Sequence, residues 1–250
     1  MKNIKLIAMD LDGTLTQHKS PLSDSARETL DKLAKKYKLI MAGAGKCDRI
    51  FSQMGNYPID IIGNYGLQYA EYDHDSKKLR MVFDEVIPCD RESVTKRIES
   101  LRKKHGFTEY AGDGIEFHSS GCVTFPILGM KANLEDKLSF DPDRTRRRAI
   151  YDEVKELFSE YNVFVGGSSS FDMAPMPYNK AYALSKYCND RGILPNEVVF
   201  IGDDYGVGGN DESVYLSDFR FVCTDDYTRL GEVLAPWLDD TVNSHVFISM

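Results

Sequence analysis

Apolar residues in this chain follow two rhythms. From Ile4 to Gly63, short unbroken apolar runs alternate with stretches of helical spacing. IKLIAMDL is continuous, as expected of a parallel strand covered on both faces. SDSARETLDKLAKK places Ala26, Leu30, Leu33 and Ala34 on one helical face, with Ser23 or Asp24 as the cap. KLIMAGAG is a second strand ending on small residues, KCDRIFSQMG a helix stopped by Gly55, and IDIIGNYG a third strand. The order strand–helix–strand–helix–strand predicts a parallel sheet wrapped by helices.

The rhythm then changes. LQYAEYDHDSKKLRMVFDE reads as a hairpin turning between His74 and Lys78, and CDRESVTKRIESLRKKHG as an amphipathic helix. IEFHSSGCVTFPIL is strand-like, with Gly121 as a break. DPDRTRRRAIYDEVKELFSEY reads as a helix with Asp141 as cap and Pro142 at its first position. NVFVGGSSSFDMAP reads as one more strand. The first rhythm returns with the helix KAYALSKYCNDRGI, the strands EVVFIGDD and FRFVCT, and a last helix, DDYTRLGEVLAPWL, broken near Pro236. The expected architecture is α/β. A Rossmann-like parallel-sheet core domain, residues 1–83 and 177–250, is split by an inserted α+β domain, residues 84–176.

Composition narrows the partners. The 250 residues carry a formal charge of −8, which argues against nucleic acid or an anionic membrane as the main partner. No apolar run approaches the ~20 residues of a membrane span. The opening MKNIKLIAMDLD is a strand running into acids rather than a secretion signal. Five scattered cysteines without a C-x-x-C pair suggest reduced thiols in a cytoplasmic protein, not a disulfide framework or a zinc knuckle.

Two strands end alike, IKLIAMD on Asp10 and Asp12, and EVVFIGD on Asp203 and Asp204. Carboxylates are costly to desolvate without a partner. Ligands gather at the carboxyl ends of parallel strands, so if these two strands are neighbours their acids converge and need a cation. Mg²⁺ suits such hard oxygen ligands and leaves positions for a phosphate. The glycine of DLDGT comes fourth, which excludes an EF-hand loop.

DLDGTLT, then Lys180, then GDDYGVGGND together resemble the haloacid dehalogenase (HAD) superfamily of phosphotransferases, and the insertion resembles its large α/β cap. Within it the chain is similar to the eukaryotic-type phosphomannomutases, through DLDGTLT, IEFHSSG, GGSSSFDMAP, the NKAYAL run and IGDDYGVGGND. The resemblance implies that Asp10 is the nucleophile and forms an aspartyl-phosphate. Asp12 would be the acid and base, and Lys180 a point charge on the transferring phosphoryl group. Mg²⁺ would sit on the Asp10 carboxylate, the Asp12 carbonyl and Asp203. Gly13 belongs to the same loop, and Asn210 with Asp211 would complete the metal's surroundings or orient Lys180. In SSSFDM, alternation puts Ser168, Ser170 and Asp172 on one strand face, and the resemblance assigns Ser170 and Asp172 to sugar hydroxyls. The relatives pair through their caps, which implies a homodimer.

Two departures bear on function. The second strand of such enzymes ends on a serine or threonine that binds a phosphoryl oxygen, whereas MAGAGK offers only Ala44 or Gly45. A lost hydroxyl bond to a charged group costs about 1.5–3 kcal/mol, or about tenfold to a hundredfold in rate. The backbone N–H groups of Ala44 and Gly45 remain as donors. A mutase must also grip the second phosphate of its substrate, and the family uses arginines. The matching positions carry Lys19, His118, Met130 and Lys137, with Lys131 adjacent, and none is arginine. The run Arg146, Arg147, Arg148 reads as a solvated helix face with ion pairs. These departures put a Mg²⁺-dependent phosphatase for a small phosphorylated metabolite, a sugar phosphate, first. A phosphomannomutase-like phosphohexomutase is the alternative, and a non-catalytic phosphometabolite-binding protein comes third.

Overall fold

The computed structural model describes residues 3–238. The chain opens with β1 (Leu6–Met9), α1 (Asp24–Ala34), β2 (Lys38–Ala42), α2 (Cys47–Gln53) and β3 (Asp60–Gly63), followed by the hairpin β4 (Gln68–Asp73) and β5 (Lys78–Asp84). Its middle holds α3 (Arg91–His105), β6 (Glu116–Phe117), β7 (Val123–Pro126), α4 (Leu134–Phe140), α5 (Thr145–Arg148), α6 (Tyr151–Leu157), β8 (Tyr161–Phe164) and β9 (Ser170–Pro175). It continues with α7 (Lys180–Asn189), β10 (Val198–Gly202), α8 (Glu212–Tyr215), β11 (Arg220–Cys223) and α9 (Leu230–Leu238).

One seven-stranded sheet runs β11-β10-β1-β2-β3-β4-β5. Its first five strands are parallel and the hairpin is antiparallel. Ile7 and Met9 pack into one apolar cluster with α1 and α9, and Leu6 and Ala8 into another with α7. Both faces of β1 are therefore dry, which explains its unbroken apolar run. Each large side chain buried in this way contributes about 1.5–3 kcal/mol. β1 and β10 are direct neighbours, with Met9 beside Ile201, so the two acidic strand ends lie side by side.

The second sheet, β6-β7-β9-β8, is antiparallel throughout. Phe125, Phe171 and Met173 face a core made with α3 and α6. Thr124 and Asp172 are paired in register on the other, less buried face. This is the expected inserted α+β unit.

Several local expectations are corrected. NVFVGGSSSFDMAP is a hairpin, β8 and β9, not one strand. Asp141 closes α4 instead of opening a helix at Pro142, and α5 begins only at Thr145. The Asp141 carboxylate still accepts from the backbone N–H groups of Arg146 (2.9 Å) and Arg147 (3.1 Å), so it caps α5 from upstream of the usual cap position, Arg144. Arg147 is buried, not solvated. The last helix passes through Pro236 to Leu238, because burial of Leu234 and Trp237 outweighs the missing N–H. The five cysteines are free, as expected. Among the described residues, no helix is long and apolar enough to cross a membrane. The terminal TVNSHVFISM of the expected core domain lies outside the described residues.

Candidate active site

The carboxyl ends of β1 and β10 form an acidic cluster. Asp10, Asp203 and Asp211 each offer an oxygen, and these oxygens lie within 4.8 Å of one another. Asp10 is placed by its own N–H, which donates to the Ile201 carbonyl at 2.9 Å. Gly13 has φ +99°, and a Cβ there would lie 2.4 Å from Asp203 Oδ2, so only glycine lets the DLDGT loop close over Asp203. Thr14 donates its hydroxyl to Asp203 Oδ1 at 2.8 Å.

Lys180 enters from the first turn of α7, where Asn179 caps the helix by accepting from the Tyr182 N–H. Its ammonium is 1% exposed and makes three bonds, to Asp10 Oδ1 (2.7 Å), Asn210 Oδ1 (2.6 Å) and Asp211 Oδ1 (2.7 Å). Burial alone would lower the Lys180 pKa, but Asp10 and Asp211 hold it above its usual value. Burial pushes the Asp10 carboxyl well up, against the pull of Lys180 and with the help of Asp211 and Asp203. Burial likewise raises Asp203 to about 6, against its Thr14 bond.

The charge balance defines what fits here. Two buried carboxylates, Asp10 and Asp211, and the half-buried Asp203 face one ammonium, and the excess negative charge suits a hard divalent cation. Asp10 and Asp203 are the side chains that would hold it. Both oxygens of Asp211 are already bonded, to Lys180 and to the Asp204 N–H. The Asp12 side chain is turned elsewhere. It accepts from the Lys19 N–H (2.7 Å), Gln53 Nε2 (2.7 Å) and both terminal nitrogens of Arg49 (3.3 and 3.4 Å). Burial would raise its pKa, but Gln53, the Lys19 amide and Arg49 together hold it below the usual range. Asp12 therefore could join a cation only through its backbone, as the resemblance implies.

On the second sheet, His118 Nε2 lies 3.1 Å from Thr124 Oγ1, which donates to Asp172 Oδ1 at 3.0 Å. Burial raises the Asp172 carboxyl, against its Thr124 bond and the charges of His118 and Arg147. The structure thus joins His118 and Asp172. Ser170 Oγ bonds the Gly166 carbonyl beside them. Lys137, on α4, none of whose residues is buried, instead donates to the Met130 carbonyl in the loop before that helix. Lys19 contributes its backbone N–H to Asp12, while its side chain is exposed. Ala44 packs at the seam between the sheets, near the stacked rings of Tyr65 and Phe164. The Cys47 N–H at the start of α2 is taken by Gln68 at 3.1 Å.

Four residues around this site escaped the sequence reading. Thr14 braces Asp203, Arg49 and Gln53 hold Asp12, and Arg144 pairs with Asp204 across the two sheets. For two of them a signal was present. Arg49 and Gln53 are four apart on α2 and so share one helical face.

A parallel sheet with acids at adjacent strand ends, a lysine among them and an inserted α+β unit define a HAD-type phosphotransferase. The model of the eukaryotic phosphomannomutase family matches residues 26–228, and the chain belongs to that family. Phosphomannomutase from Saccharomyces cerevisiae is 25% identical over 95% of this chain and 91% of its own length. The enzyme from Solanum lycopersicum is 26% identical over 85% of this chain and 86% of its own length. Among solved structures, Plasmodium falciparum IMP-nucleotidase superposes with a TM-score of 0.69 at 15% identity, over 95% of this chain and 68% of that one. A HAD-superfamily phosphatase from Bacteroides thetaiotaomicron does so at 0.61 and 16%, over 94% and 95%. At such identities these two show the fold alone.

Proposed function

We propose that this protein is a Mg²⁺-dependent phosphohexomutase of the phosphomannomutase type, interconverting the 1- and 6-phosphates of a hexose. The observation that carries this is the match to the phosphomannomutase family over residues 26–228, with Asp10 bonded to Lys180 at 2.7 Å inside the matched fold. It moves the mutase ahead of the phosphatase favoured by the sequence alone.

The Asp10 carboxylate attacks one phosphorus of a bound hexose bisphosphate, and the bond to the sugar oxygen breaks, leaving a hexose monophosphate in the site. Asp12 gives the leaving oxygen its proton. In the return step the free hydroxyl of a bound hexose monophosphate attacks the aspartyl-phosphate, the bond from Asp10 to phosphorus breaks, and Asp12 takes the hydroxyl proton, so that either phosphate of the regenerated bisphosphate can be removed next. Lys180 stays bonded beside Asp10 and offsets the charge on the phosphoryl oxygens. Asp10, Asp203 and the Asp12 backbone would hold a Mg²⁺, which would supply charge neutralisation for a loose, in-line transfer. Segment 84–176 acts as the cap, and its polar face of Ser170, Asp172 and His118 holds the sugar hydroxyls.

The phosphatase is the second reading. The lysine, histidine and methionine at Lys19, His118, Met130 and Lys137, where the family carries arginine, weaken the grip on a second phosphate. One experiment separates the two. Supply mannose 1-phosphate, Mg²⁺ and a hexose bisphosphate activator, and follow both the 6-phosphate and free phosphate. The mutase forms 6-phosphate with little free phosphate. Steady release of free phosphate without 6-phosphate would reject the mutase in favour of hydrolysis.

A further inference from the structure

The second strand of the parallel sheet ends on AGAG, with no hydroxyl to receive a phosphoryl oxygen. Another side chain occupies that place. A Cβ built on Gly45 would lie 2.1 Å from Nη2 of Arg49, 2.3 Å from its Nε and 2.5 Å from its Cζ. The guanidinium therefore fills the volume in which a serine at position 45 would stand. Glycine at 45 is what admits it. β2 is the direct neighbour of β1, with Met41 beside Met9, so the segments that follow, carrying Gly45 and Asp10, leave the same edge of the sheet. Arg49 also reaches Asp12 Oδ2 with both terminal nitrogens, at 3.3 and 3.4 Å, and donates to Gln53 Oε1 at 2.7 Å.

We propose that Arg49 binds the reacting phosphoryl group in place of the missing hydroxyl. A guanidinium has five donors in a fixed fork that matches phosphate oxygens. The Arg49 side chain is 42% exposed, so its outer edge is open to an incoming anion. Its bonds to Asp12 are long, which makes them easy to exchange for shorter ones to a phosphate. A serine hydroxyl would offer one neutral donor here, whereas Arg49 offers charge and more than one donor. The loss expected from the missing hydroxyl is thus offset by an arginine one helical turn further on. This assignment rests on the phosphoryl-transfer reading of the site.

The test is a double-mutant cycle read by titration calorimetry with inorganic phosphate in the presence of Mg²⁺. Arg49→Ala should weaken phosphate binding about tenfold to a hundredfold, as for a lost bond to a charged group. Arg49→Lys should fall between, keeping charge but not the fork. Gly45→Ser alone should weaken binding, because its Cβ displaces the guanidinium. Gly45→Ser in the Arg49→Ala background should tighten it, because hydroxyl and guanidinium share one place. Circular dichroism and melting confirm that each variant folds. Equal affinity of Arg49→Ala and the wild type overturns the proposal, and so does a loss that Gly45→Ser does not repair. A wild-type protein that turns over no sugar phosphate, yet binds phosphate through Arg49, would sink the mutase reading and leave this assignment standing.

Discussion

Two of the buried cations, Lys180 and Arg147, are matched differently. Lys180 is surrounded by Asp10, Asp211 and Asn210, with Asp203 close by, so negative charge is in excess. Arg147 has a single carboxylate, Asp141 at 2.8 Å, and gives its other bonds to the carbonyls of Gly166, Gly167 and Ser170. Its charges balance one to one, and its hydrogen bonds fasten α5 to the turn between β8 and β9. A balanced buried pair holds a fold in one register. An unbalanced one stores repulsion that a ligand can relieve, and that marks the site.

The contrast breaks first at Asp10. Asp10→Asn removes the nucleophile and should cut phosphoryl transfer at least about ten thousandfold, more than about 5 kcal/mol of barrier. The metal-free variant should nevertheless melt no lower than the wild type at neutral pH, because one excess charge is gone. A clear drop in its melting temperature would mean that the acidic cluster is structural after all. Asp141→Asn should behave in the opposite way. It leaves the Arg147 charge unpaired in the interior, at a cost of about 3–5 kcal/mol. Denaturant unfolding should show that loss, while the kcat of the folded fraction changes little.

Metal sharpens the comparison by a smaller amount. Mg²⁺ at a hundred times its dissociation constant should stabilise the wild type by about 2.7 kcal/mol. Asp141→Asn should keep that increment, and Asp10→Asn should lose most of it. Equal increments in the two variants would place the cation elsewhere.

The same contrast explains what could be read from sequence. The parallel core was legible because strands dry on both faces leave unbroken apolar runs, as in IKLIAM and EVVFIG. Asp10, Asp12 and Asp203 were legible because each directly follows such a run. α4 was not legible, because none of its residues is buried and it therefore carries no apolar period. Arg147 was misread because its partners are mostly backbone carbonyls, which no side-chain pattern reveals. Asp141 misled for a related reason. It caps α5 through N–H groups five and six residues ahead, a reach that the usual cap spacing does not contain. Arg49 lay one helical turn beyond the gap in AGAG, and only the closeness of its guanidinium to Gly45 shows the connection.

The smallest effect is a pair of opposite pH trends in metal-free protein. The carboxyl of Asp141 would be raised by burial, but the bonds from Arg147 and the α5 amides hold it below its ordinary 3.8. Its contribution to stability is therefore complete above the unfolded value and is lost as pH falls through the folded one. The advantage of the wild type over Asp141→Asn should stay level from neutral pH down to about 4 and shrink only in stronger acid. Burial raises Asp203 from 3.8 to about 6. Between those two values the folded state takes up its proton first, so stability from this group rises as pH falls. The handicap of the wild type relative to Asp203→Asn should thus be full above pH 6 and fade by about pH 4. Melting curves of the three proteins in chelator, from pH 7.5 to 3, would separate the two trends. If both differences changed over the same pH range and with the same sign, the distinction between a balanced and an unbalanced cluster would fail.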